Sequence, residues 1–252
     1  MTVKIKKSAG TREIAFSSLT AESNYTFKAN KVAIFSGPSI AKEKILRLLP
    51  QAHVRPPIKR GDLREVVNRG FNVIGIIDGT YISEPTLSAD EIFWALRKGV
   101  HLYGAASLGA LRAVEFEAYG MQGVGTIFNW YRRGLTFRDD EVVVRMEEDT
   151  FRSLCDPLVN LRYALICALN RRVVSRRIAQ SILSVYQHYF YAERTYARLF
   201  KHLLAGHSST RSDSKAIAQF RDFVLENKES LDLKARDSQR LIELIKDNYW
   251  IG

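Results

Sequence analysis

Phe71-Asn72-Val73-Ile74-Gly75-Ile76-Ile77 is a nearly continuous apolar run that stops at Asp78-Gly79. A strand with one wet face alternates apolar and polar residues, so a run without alternation needs cover on both faces, as in a parallel sheet between helical layers. Lys31-Val32-Ala33-Ile34-Phe35-Ser36 and Val100-His101-Leu102-Tyr103-Gly104-Ala105-Ala106 have the same character. A helical pattern follows each run: Ile45 to Leu49 after the first, Ile92 to Leu96 after the second, and Leu108 to Tyr119 after the third. Strands alternating with helices predict an α/β fold, a parallel sheet of Rossmann or flavodoxin type with helices on both faces and right-handed crossovers.

Local signals place the boundaries. Gly61-Asp62 starts a short helix with Asp62 as its N-cap. Ser88-Ala89-Asp90-Glu91 reads as a capping box, and Gly99 as the glycine that ends the following helix. Gly120 to Gly125 reads as a glycine-dense loop, Thr126 to Arg133 as a helix, and Glu141-Val142-Val143-Val144 as a last strand. From about Arg152 the pattern is helical: Leu161, Leu165, Ile166 and Leu169 share a face, and Asp213–Asn227 and Ala235–Tyr249 form two further helices. Ser208-Ser209-Thr210 resembles a linker. Three regions follow: an arm or short strands over 1–30 (Ile14-Ala15-Phe16 and Tyr25-Thr26-Phe27), an α/β core over 31–150, and a helical region over 151–252.

In an open parallel sheet, ligands bind outside the carboxyl ends of the strands. Three of those ends carry small or polar residues: Gly37 and Ser39, Asp78 and Gly79, Ser107 and Gly109. Ser39 is either a helix N-cap or part of an anion site made by free N–H groups. Asp78 is either a loop residue or an acid, base or orienting group. Ala105-Ala106-Ser107-Leu108-Gly109 has the small-x-Ser-x-Gly form of a nucleophile elbow, with Ala105 at the usual first glycine; an N-cap role for Ser107 is the alternative. Arg112 and Glu115, three apart, either pair on the helix surface or leave Arg112 to hold a carboxylate or thiocarboxylate. Arg60 adds a second positive group beside Gly61 and Asp62.

The rest of the composition narrows the field. Cys155 and Cys167, 12 positions apart in a segment that reads as helical, are about 18 Å apart there and form no disulfide. The five histidines are scattered without metal-ligand spacing, so neither metal nor cofactor is expected. No apolar run spans a membrane and the basic N-terminus lacks an apolar signal region, so a cytoplasmic protein is expected. The net charge is +11, with most of the excess after residue 150, including Arg171, Arg172, Arg176 and Arg177. No nucleic-acid-binding motif accompanies these arginines; they are either a solvated basic face or a surface for an acidic protein partner.

These segments resemble the TfuA family. The resemblance rests on Gly37-Pro38-Ser39, Pro56-Pro57 with Gly61-Asp62-Leu63, Ile77-Asp78-Gly79, Glu91-Ile92 with Ala95-Leu96, Gly104 through Glu115, Tyr119 through Gly125, Tyr131, Gly134 and Asp139 to Val142. It covers roughly residues 31–150. Leu87-Ser88 stands where the family would have a Val-His pair, and Leu108 where methionine is common. The resemblance implies a partner of YcaO enzymes in peptide-backbone thioamidation. It implies hydrolysis of the thiocarboxylated C-terminus of a ThiS-type sulfur carrier, releasing sulfide near YcaO. Under that reading Ser107 is the nucleophile or positions water, the turn supplies oxyanion donors, and Arg112 meets the anion. Asp78 or Glu115 moves protons, and Gly37, Ser39, Arg60, Asp62, Gly79, Leu108 and Gly109 border the substrate. The expected partners are YcaO and the carrier, with a homo-oligomer also open.

Overall fold

The computed structural model describes residues 30–80, 85–136, 138–205 and 210–249. The short strands anticipated at Ile14–Phe16 and Tyr25–Phe27 lie outside them, as do Ser208 and Ser209; Thr210 caps a helix.

Five parallel strands form one sheet in the order β2-β1-β3-β4-β5: β1 Val32–Phe35, β2 His53–Arg55, β3 Val73–Ile76, β4 His101–Ala105 and β5 Gln122–Val124. The three apolar runs are the three central strands, and the parallel α/β architecture is the one expected. This is the flavodoxin-type order, which reverses direction between β1 and β3. Phe35 pairs with Ile76 and Ile76 with Gly104, so the three central strands end level. That register brings Gly37, Asp78 and Ser107 to one edge.

Helices α2 (Asp62–Asn68), α3 (Ala89–Arg97) and α4 (Leu108–Phe116) cover one face, packing Leu63, Ile92 and Leu111 around Phe35, Ile74 and Ile76. Helix α1 (Lys42–Leu48) covers the other face together with α11 (Leu233–Tyr249). Leu241, Ile242 and Ile245 of α11 pack with Ile34, Val73 and Ile77. A Cβ on Gly75 would lie 2.8 Å from Leu241 Cδ2, so the close approach of α11 depends on that glycine. The last helix among the described residues is therefore part of the α/β layers. Between α5 (Gly125–Arg132) and α11, helices α6 (Leu158–Asn170), α7 (Arg176–Gln187), α8 (Tyr196–Leu204), α9 (Arg211–Glu226) and α10 (Lys228–Leu231) build a second apolar cluster of their own.

Several local expectations hold. Ser88 and Glu91 form the capping box, and Gly99 has φ +75°. Others are corrected. Asp62 is the first residue of α2; Gly61, at φ +95°, holds the cap position, and the Asp62 carboxylate accepts the Lys59 N–H instead. The glycine-dense stretch contains β5, and β2 precedes Pro56, so two edge strands are added. Residues 141–144 form no strand. Asp139–Glu141 is a 3-10 turn, because Arg162 grips the buried Glu141 carboxylate and the buried Arg194 grips Asp140. The α4 helix gives way to a 3-10 turn at Glu117–Tyr119. Cys155 precedes α6, so the 12-residue separation is not helical; both cysteines are free, Cys155 buried and Cys167 half-buried.

Candidate functional site

The site grows from the switch point between β1 and β3. Asp78 leaves β3 buried, 2% exposed, and its carboxylate is turned into the loop after β1. Oδ2 accepts the N–H groups of Gly37 at 2.9 Å and Ser39 at 3.0 Å, and Oδ1 accepts the Ser39 hydroxyl at 2.6 Å. The donors that suggested an anion site are thus engaged by an anion of the chain itself. Ser39 is not a helix N-cap; Ala41 holds that position.

Lys234, in the first turn of α11, completes the cluster. Its Nζ lies 3.8 Å from Asp78 Oδ1 and donates to the Val142 carbonyl at 2.9 Å. Its backbone N–H is held by Asn160 Oδ1. Burial pushes the Lys234 ammonium below the ordinary lysine value, while Asp78, Asp232 and Cys155 pull it back up. Burial disfavours the charged form of an amine, so the neutral form, which is the base, is more accessible here than in an exposed lysine.

Ser107 meets the cluster at the same carbonyl. Ser107 is 5% exposed, and its Oγ donates to Val142 O at 3.4 Å, a long bond. Ser107 occupies the N-cap position of α4 but makes no side-chain cap. It also departs from a nucleophile elbow. The residue with left-handed backbone is Ala106, at φ +63°, and Ser107 N–H donates to Ala105 O at 2.7 Å. Together these make a γ-turn centred on Ala106, a strained conformation for a residue with a side chain. The backbone N–H of Leu108 meets no carbonyl acceptor among the described residues. Gly109 lets α4 rest directly on the sheet: its N–H donates to Ile77 O, and a Cβ there would lie 1.8 Å from Ile76 O. Leu108 packs over Gly79.

Other candidates are not brought in. Arg112 and Glu115 pair at 2.5 Å on α4, though the buried Nε of Arg112 has no hydrogen-bond partner. Arg60 is exposed, with its backbone N–H on Pro85 O. Asp62 lies 3.6 Å from Arg55.

A cleft of about 580 Å³ opens beside the cluster, bordered by Pro38, Cys155, Asn160, Thr195, Lys228 and Lys234. Burial pushes the Cys155 thiol up in pKa, against a hydrogen bond from the Arg145 N–H. Among the described residues no group of His, Cys, Asp and Glu is arranged to hold a metal ion, and no helix is long and apolar enough to cross a membrane.

Sequence reasoning missed Lys234, although a signal was present. Lys234, Asp237 and Ser238 fall on the same helical stripe as Leu241 and Ile245, and all five are buried. Polar residues on an apolar stripe mark side chains that must find buried partners.

Fold and cluster define a doubly wound parallel α/β protein with a buried Asp–Lys–Ser group at its switch point. Residues 78–195 match the family model for TfuA-like protein, which shows the TfuA resemblance over that segment. The match starts later than the resembling segments read from the sequence and runs beyond residue 150, through α6 and α7 to Thr195. It includes Asp78, Ser107, Arg112 and Val142 and leaves out Ser39 and Lys234. No curated protein matches the chain.

Proposed function

We propose that the protein is a thiocarboxylate hydrolase that acts on the C-terminus of a ThiS-type sulfur carrier and supplies sulfide to a YcaO enzyme in peptide-backbone thioamidation. The observation that carries this reading is the sharing of the Val142 carbonyl by Ser107 Oγ and Lys234 Nζ, with Asp78 behind the lysine. The sequence contained a candidate nucleophile without a base; Lys234 supplies one.

The chemistry balances with these groups. Neutral Lys234 takes the Ser107 proton as Oγ adds to the thiocarboxylate carbon. The oxyanion formed is met by the N–H of Leu108. The C–S bond then breaks, and the proton on Lys234 passes to the departing sulfur. Water hydrolyses the seryl ester, so that one thiocarboxylate and one water give one carboxylate and one hydrogen sulfide. Water adding directly, held by Ser107, has the same balance. Asp78 stabilises the lysine ammonium between the two proton transfers. Arg112, five residues past Ser107 on α4, meets the substrate anion by exchanging its Glu115 partner for it.

A second reading, a non-catalytic adaptor that binds and activates YcaO, is favoured by the 5% exposure of Ser107. The full chain incubated with thiocarboxylated carrier separates them through released sulfide. Hydrolysis predicts turnover by the wild type that falls by ~100-fold or more in Ser107→Ala and Lys234→Met. In Arg112→Ala the loss should fall mainly on KM. No turnover by the wild type, with YcaO still stimulated, would establish the adaptor.

A further inference from the structure

Helices α6 and α7 leave an apolar groove at the margin of the second core, which contributes Leu165 and Ala179 to its lining. Its volume is about 360 Å³, and Leu169 of α6, Leu183 of α7, and Trp130 and Leu135 at the end of α5 line it together with Ile166. Leu135 is 65% exposed and Ile166 43%. Scattered exposed apolar side chains are ordinary, but a groove walled by several is a recognition feature.

The charge around the groove has one sign. Arg162 and Arg176 border it, and no acidic residue does. Arg162 is neutralised by Glu141, and Arg177 by Asp213. Arg176 is exposed and has no acidic partner among the described residues. It sits in the first turn of α7, which carries no acidic residue. A helix N-terminus has a positive dipole end that favours Asp or Glu, so an arginine there is electrostatically misplaced within the chain alone. A carboxylate brought from outside gains from both the guanidinium and the dipole.

We propose that this groove seats an amphipathic helix of a partner protein, its apolar face on Ile166, Leu169 and Leu183 and its acidic flank toward Arg176. Helix-in-groove recognition uses apolar anchors at spacings of three and four, which two neighbouring helices such as α6 and α7 can receive. The inference does not depend on the reaction proposed above, since none of the Asp78 cluster borders the groove.

The test uses the full chain and a labelled synthetic helical peptide of about 18 residues, with leucines on one face and glutamates on the other. A second peptide carries lysine at each glutamate position. The glutamate peptide should bind at micromolar Kd and the lysine peptide at least ~10-fold more weakly. Ile166→Glu and Arg176→Glu should each weaken the glutamate peptide by ~10-fold or more without lowering Tm. Leu225→Glu, at a 64% exposed position on α9, should leave binding unchanged. Equal binding of both peptides, indifference to Ile166→Glu and Arg176→Glu, or no binding at ~100 μM would overturn the proposal. A concentration-dependent dimer abolished by Ile166→Glu would assign the groove to a second copy and overturn it equally.

Discussion

Lys234 Nζ lies 3.8 Å from Asp78 Oδ1 with both side chains almost fully buried, so an amine from α11 is set against a carboxyl group from the end of β3. A buried pair gains stability only when further hydrogen bonds satisfy it. Here they do: three donors reach Asp78, and Val142 O accepts from Lys234. Removing one partner is then worse than removing both. Asp78→Asn should lose ~3–5 kcal/mol in urea unfolding, because Lys234 loses the carboxyl group beside it and the donors of Gly37 and Ser39 lose one of its two oxygens. Adding Lys234→Met to Asp78→Asn should restore part of that loss. Additive effects in the double-mutant cycle would mean the pair is not coupled.

The buried lysine also sets a pH dependence. Burial holds its pKa in the folded chain below the ordinary lysine value of 10.5. Between the two values the unfolded chain carries the proton and the folded chain does not. Unfolding therefore takes up a proton, and this group makes stability rise with pH across that window, to level off above 10.5. Urea midpoints measured upward from pH 7 should show a rising contribution in the wild type that is missing in Lys234→Met. Identical profiles for the two proteins would contradict it.

Gly109 tests how closely α4 must sit on the sheet. The clash of a Cβ there is with the backbone carbonyl of Ile76, which no rotamer change relieves. Gly109→Ala should cost about 3 kcal/mol and displace Ser107, two residues away. Gly70→Ala is the control: φ is +86° and nothing lies within 4 Å, so only the backbone conformation is penalised, at about 1–2 kcal/mol. Equal losses in Tm for the two variants would show that the helix has room to retreat.

Much of the α/β core was legible because its three central strands are buried on both faces and need continuous apolar runs. The edge strands were not, for a physical reason. β2 is three half-buried residues, and β5 is three residues containing Gly123, too short and too mixed to show a period. Val142-Val143-Val144 has strand propensity, but Arg162 and Arg194 bind the acids just before it and hold a turn. That turn is also what presents the Val142 carbonyl to Ser107 and Lys234. Sequence spacing identified the three strand ends, since register follows from the strands themselves. It did not reach Lys234, whose place depends on α11 returning to the sheet after five intervening helices. Nor did it locate the strained residue of the turn, which is Ala106 and not Ser107.

A last consequence concerns phosphate. Doubly wound folds hold phosphate on free N–H groups beyond the strand ends. Here the loop after β1 is filled by Asp78, and the N-terminus of α5, after β5, is filled by Asp237, whose Oδ2 accepts Ile127 N–H at 2.7 Å. Asp237 is fully buried, and its Oδ1 lies 3.7 Å from the Arg240 guanidinium without a hydrogen bond. Burial pushes the carboxyl up in pKa, against the hydrogen bond from Ile127. With both nests occupied by carboxylates, inorganic phosphate should not raise the Tm of the wild type. Asp237→Ala should lose ~1–3 kcal/mol, because the α5 N–H groups are left unpaired in a buried place. In that variant phosphate should recover part of the loss, by binding where the carboxylate was. A phosphate-induced Tm rise already present in the wild type would show that an anion site remains open, and would return the strand ends to phosphate chemistry.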